Sequence, residues 1–194
     1  MASILKVDQL QLSDGSTPTA GDLGIDTSGS VLQVVSKSLH DPYTLSWQDT
    51  TGIGGDIGLN VSIVPKKSNS KFLVTVDIGI GSCSGASWAG ILSRNGTRVG
   101  NGNVYPDHSG VLFRGVDHAG NNGTDVNHGL GASGSYMDSP SVSAGTTLTY
   151  MCGFTGETGT VYINRSESDY ATASTNQPAN ARTTSTITVT EISA

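Results

Sequence analysis

From Lys71 to Ile80 every second side chain is apolar. Phe72, Val74, Val76, Ile78 and Ile80 fall on one face of an extended chain, with Lys71, Thr75 and Asp77 on the other. A period of two held over this length does not fit a helix. It specifies a strand with one face in a core and one in solvent. Leu148, Tyr150, Cys152 and Phe154 repeat the pattern. The expected core therefore includes Phe72, Val74, Val76, Ile78, Leu148, Tyr150 and Phe154.

Other short runs fit the same architecture. Tyr43–Trp47 and Val61–Val64 read as strands, the second stopped by Pro65, which has no amide proton to donate. Trp88–Ser93 and Val99–Val104 flank Arg94-Asn95-Gly96-Thr97, a hairpin signal because both central positions of a type I′ turn need positive φ. Further strands are expected at Val111–Val116, Val126–Met137, Thr146–Phe154, Thr160–Asn164 and Thr184–Ile192. The 26 glycines and the scarcity of Lys, Glu and Leu suit turns and short strands, not long helices. No strand–helix–strand rhythm appears, so the expected fold is all-β: an antiparallel, jelly-roll-like β-sandwich with an extended N-terminal arm. Helix should make up under about a tenth of it, well below the usual share.

Three parts are expected. Residues 1–35 form an arm: Leu5, Val7, Leu10 and Leu12 are its apolar positions, Val31–Val35 is a short strand candidate, and the segment is too small to bury its own side chains. Residues 36–59 form a connector, loop-like and glycine-rich from Asp49 to Gly58. Residues 60–194 form the β domain, with a long polar loop over Ser166–Arg182.

The formal net charge is −6, and Lys66-Lys67 is the single basic pair cluster. Displacing counterions from a phosphate backbone needs several cations on one face, so no nucleic-acid partner is expected. No stretch approaches the roughly 18 apolar residues of a membrane helix, so no membrane insertion is expected. Met1–Lys6 is too polar and short for a signal peptide. The expectation is synthesis in a cytoplasm and exit by lysis or in a particle.

Candidate chemistry is sparse. Cys83 and Cys152 have no metal-ligand spacing, and Cys152 reads as a small buried hydrophobe. Pairing between them would require neighbouring strands. His108, His118 and His128 are evenly spaced but lie where strands give way to polar loops. Asp117–Asp125 is rich in oxygen ligands yet lacks the alternation and closing Glu of a calcium loop, so it reads as a turn. No nucleophile motif is present, and Glu157, Glu167 and Asp169 read as solvated loop residues. No catalytic residue, metal or cofactor is expected, and the chain is not expected to be an enzyme. Sequons at Asn60, Asn95, Asn122 and Asn164 are the accidental kind in a Ser/Thr-rich chain. Among the aromatics, Trp88 reads as core, while Tyr105 and Tyr170 are the candidates for loops that face a receptor.

Several segments carry a resemblance. Ile4-Leu5-Lys6-Val7-Asp8-Gln9-Leu10-Gln11, Gly15–Ala20, Val31–Val35, Ser70–Asp77, Met137-Asp138-Ser139-Pro140, Tyr162–Ser166 and Ser185–Ile192 together resemble a family of marine phage (cyanophage-type) tail-fibre-like virion structural proteins. The match spans both ends and most strands, while about residues 81–135 depart from it. It implies a virion protein that attaches by its N-terminus to a capsid or tail component and presents a homotrimeric β domain. A host surface glycan is the candidate partner for its loops. Two other readings are a capsid decoration or cement protein and a carbohydrate-binding module. Trimerisation also has support in the residues: Trp88-Ala89-Gly90-Ile91-Leu92 and Val111-Leu112-Phe113 are apolar on consecutive positions, so both faces of those strands need cover.

Overall fold

The structure is a computed structural model that describes residues 9–19, 28–46, 54–84, 87–100, 112–116, 130–156, 160–165 and 182–194. These residues contain eleven strands: β1 Val31–Leu39, β2 Tyr43–Ser46, β3 Gly55–Ile63, β4 Lys71–Ser84, β5 Ser87–Arg94, β6 Thr97–Val99, β7 Phe113–Val116, β8 Leu130–Asp138, β9 Leu148–Gly156, β10 Thr160–Ile163 and β11 Ser185–Ile192. No helix occurs among them. All pairings are antiparallel.

One sheet has the order β1-β11-β4-β10-β2, with β8 on the other edge of β4. The second has the order β3-β9-β5-β6, with β7 also on β5. If β2, β6 and β10 are set aside, the sheets read β1-β11-β4-β8 and β3-β9-β5-β7. Those are the two four-stranded layers of a jelly roll. The long β4 takes two partners in succession along one edge. Lys71–Asp77 pairs with β11 and Ile80–Ser84 with β10, while β8 pairs along Phe72–Ile80 on the opposite edge.

The core lies between the sheets. Phe72, Val74, Val76, Ile78 and Ile80 all point into it, as do Leu148, Tyr150, Cys152 and Phe154. Both alternating segments thus have the phase that their periodicity predicts. Phe72 meets Tyr150 with ring centroids 6.2 Å apart, and Trp88, Phe113 and Phe154 form a second cluster with centroids 5.9 to 6.3 Å apart. Gly90 makes that cluster possible, because a Cβ there would occupy the Phe113 ring. The expected hairpin is present: Asn95 and Gly96 have φ of 49° and 75°, and β5 pairs with β6 across them.

Some boundaries differ. Val31–Val35 is not part of a free arm: it belongs to β1, which pairs with β11 from Val31 to Leu39, and Gly29 and Ser30 already bond to the Ser193 backbone. The partner that this strand requires is the last strand of the same chain. Residues 55–58 are not loop but the start of β3, where Ile57 and Leu59 are buried. The register shift between Asp56 and Asn60, with Gly58 at φ 79°, is what hides this strand behind a loop-like composition. The return strand of the hairpin begins at Thr97, earlier than Val99, and β7 begins at Phe113; Val126–Gly129 of the strand expected over Val126–Met137 lie outside the described residues.

β5 changes one argument. Trp88, Ala89, Ile91, Leu92 and Ser93 are all buried within the single chain. Both faces of this strand do need cover, as its composition demands, but the chain provides it, so β5 gives no reason to invoke a neighbouring subunit.

Candidate functional site

Two inward-facing carboxylates lie in one cross-strand row, Gln33–Glu191–Phe72–Asp138, which runs over β1, β11, β4 and β8. Glu191 has no solvent exposure. It accepts hydrogen bonds from Ser70 Oγ (2.7 Å), Gln33 Nε2 (2.6 Å) and the backbone amides of Lys66 (2.9 Å) and Lys67 (3.2 Å). Burial pushes its carboxyl up, but these donors together outweigh burial and hold it below the ordinary carboxylate range. Asp138 accepts from Arg94 Nη1 and from Tyr150 Oη (2.7 Å). Burial and the bond to Asp138 both raise the Tyr150 phenol, so it stays protonated as the donor. The carboxylates are separated by Phe72, and each is used up by its own donors. Glu191 ties the β3–β4 loop to the sheet, and Asp138 ties β5 and β9 to β8. Both act as clamps.

A third clamp closes the place where β4 changes partner. Asn164, fully buried at φ 60°, follows β10. Its amide donates to Gly79 O (2.7 Å) and its carbonyl accepts from Thr183 N. Asn164 Nδ2 donates to Leu39 O (2.7 Å) and Asp41 O (3.2 Å), and Asn164 Oδ1 accepts from Ser185 Oγ (2.7 Å). Backbone and side chain of this one residue thus join the β1–β2 turn, β4 and β11, and its burial removes Asn164 as a glycan acceptor.

Three of the exposed apolar residues, Val31, Val34 and Met137, are gathered on a different surface. Cross-strand pairing sets Val34, Thr190, Leu73 and Met137 in one row on the outer face of β1-β11-β4-β8. Val34 is 57% exposed and Met137 44%. The adjoining row is Val31–Ile192–Lys71, with Val31 59% exposed. The next rows toward the other end are Ser36–Thr188–Thr75–Ser135 and Ser38–Thr186–Asp77–Ser133. The face is therefore apolar at one end and hydroxyl-lined at the other, and among the described residues of these rows Lys71 and Asp77 are the two charges. Sequence reasoning missed it. Its apolar members lie on four strands that are distant in sequence, so the alternation that identified the core treats them as isolated outward positions.

Leu10 and Leu12, expected in the arm, are exposed and precede the sandwich. A local turn follows them: Leu12 N bonds Ser16 O and Gly15 N bonds Leu12 O, while Asp14 Oδ1 accepts from the amide and hydroxyl of Ser16. Leu5 and Val7 lie outside the described residues, as do Tyr105, Tyr170, His108, His118, His128, the Asp117–Asp125 turn and residues 166–181 of the polar loop. The described residues hold no group of three metal-ligating side chains. Cys152 is free and buried on β9, whereas Cys83 belongs to β4 in the other sheet, so the two strands are not neighbours.

No protein-family model matches the chain, and no curated protein does. Among solved structures it is similar to Eiger TNF from S. frugiperda, at 12% identity and a TM-score of 0.37, over 83% of this chain and 94% of that one. It is also similar to chains of infectious bursal disease virus, Gx strain (11% identity, TM-score 0.36) and Gt strain (11%, 0.30). Each match covers 98% of this chain but only 43% and 41% of the viral ones. The jelly-roll topology rests on the strand pairing of this chain and borrows nothing from these likenesses. Jelly rolls serve viral capsids and lectins alike, so the fold leaves function open.

Proposed function

We propose that this chain is a virion structural protein: a short tail-fibre-like or head-fibre appendage, held to the particle by its N-terminal arm and presenting a trimeric jelly-roll domain to the surroundings. The observation that carries the reading is the separation between arm and body. Leu10 and Leu12 are exposed ahead of β1, while both ends of the sandwich proper are locked in place through β1–β11 pairing. Two leucines left exposed on a segment too small to bury them offer apolar surface for a partner to cover. The residues of the arm and of several strands that resemble marine phage virion proteins agree with this. A capsid decoration protein would use the same arm and differ only in its location on the particle.

The test is incorporation. Particles assembled with a chain that lacks residues 1–19 should be free of it, although the deleted protein folds. Normal occupancy without the arm would overturn the anchor. A particle reconstruction with the chain located then separates an appendage at a tail or vertex from decoration across the shell.

A further inference from the structure

We propose that the outer face of the β1-β11-β4-β8 layer is a homotypic interface, covered in solution by a second copy of this chain. The proposal deepens the self-association in the reading above and does not depend on the virion.

Three observations converge. Five apolar side chains on different strands, Val31, Val34, Leu73, Met137 and Ile192, meet in two adjoining rows at one end of a sheet face. Three of them are 44 to 59% exposed, whereas the inward aliphatic residues of β4, Val74, Val76, Ile78 and Ile80, are buried almost completely. A contiguous patch of this kind, unlike scattered exposed residues, marks a contact surface. Secondly, the face is electrically balanced. The chain carries a net charge of −6, yet this face holds one cation, Lys71, and one anion, Asp77, at opposite ends of its stretch of β4. A face that must meet itself cannot carry net charge without like-charge repulsion, whereas a face for a basic partner would be acidic. Balance within an acidic molecule selects another copy. Thirdly, the side chains that border the patch toward the middle of the sheet are short. Ser36, Thr75, Thr188 and Ser135 form the next row, so Lys71 is the one long flexible polar side chain in these three rows to be ordered when sheets meet. In a closed ring the contact also brings the exposed edge of β1 close to a neighbour, protecting it from open-ended pairing.

The experiment is sedimentation equilibrium of the full chain at micromolar concentration, beside Val34→Glu/Met137→Glu, the milder Met137→Gln, and Val64→Glu as a control. Val64 is 48% exposed and lies beyond the end of β3, off this face. The native chain and the control should run as a multiple of the monomer mass. The double variant should run as a folded monomer with an unchanged far-ultraviolet spectrum, and Met137→Gln should weaken association at least tenfold. A native chain that stays monomeric overturns the proposal, as does a double variant that keeps the native mass. If the double variant does not fold, Met137→Gln decides: an unchanged association constant overturns the proposal. A chain that self-associates through this face yet never appears in particles leaves the interface standing and removes the virion reading.

Discussion

At the residue scale, Asn164 has the most to lose. Replacing it with Ala takes the side-chain donor from the Leu39 and Asp41 carbonyls and the acceptor from Ser185, and puts a non-Asn residue at φ 60°. Buried groups left without partners cost about 1–3 kcal/mol each, so Asn164→Ala should destabilise by about 2–4 kcal/mol, read from urea unfolding. Glu191 sets an acid limit. Its folded carboxyl lies below its ordinary 4.5, so its contribution is fully present above that value and is lost as pH falls through the lower folded one. Native melting temperature should therefore drop more steeply below about pH 4.5 than in Glu191→Gln, which starts lower but flatter; parallel curves would contradict the clamp. Cys152 is the quiet case. Burial pushes its thiol up to about 12, and it has no exposure. Site-resolved mass spectrometry should find it unalkylated in native protein and alkylated at once in denaturant.

At the element scale, the pairing of β1 decides where the chain can be cut. Deleting residues 1–19 should leave the melting temperature unchanged. Deleting 1–39 removes a full strand together with the Gln33 bond to Glu191, and should lower stability by several kcal/mol or abolish folding. A chain cut at residue 35, where composition places the boundary, severs β1 midway. The reason composition misplaces it is physical. Val31-Leu32-Gln33-Val34-Val35 is an edge strand, and its outward Val34 and half-buried Val35 do not give the clean alternation of β4. Central strands were legible because burial on one face imposes a period of two. The Asn95-Gly96 hairpin was legible because positive φ leaves few residue choices. The start of β3 was not, since Gly54, Gly55 and Gly58 give it the composition of a loop, although Ile57, Leu59, Val61 and Ile63 fall on alternate positions. The outer face was invisible for a different cause: its members become neighbours only through the order of strands in the sheet, which no local pattern encodes.

For the whole molecule, one core cluster draws on both sheets, so thermal unfolding should be a single transition seen equally in far-ultraviolet and tryptophan signals. If copies associate through the outer face, that transition should move upward with protein concentration, because association favours only the folded state. A midpoint that is constant over a hundredfold concentration range would speak for an isolated sandwich. The position of β11 has a further consequence, for biosynthesis. It is made after the other ten described strands, yet it lies between β1, the first of them, and β4. Until Ser185–Ile192 has left the ribosome, β1 has no partner strand and one edge of β4 is open over Lys71–Asp77. The first sheet therefore cannot be completed before that segment is made. Chains that stall or are cleaved before residue 185 should present two bare strand edges and aggregate, whereas chains that include Ser185–Ile192 close the layer in one insertion.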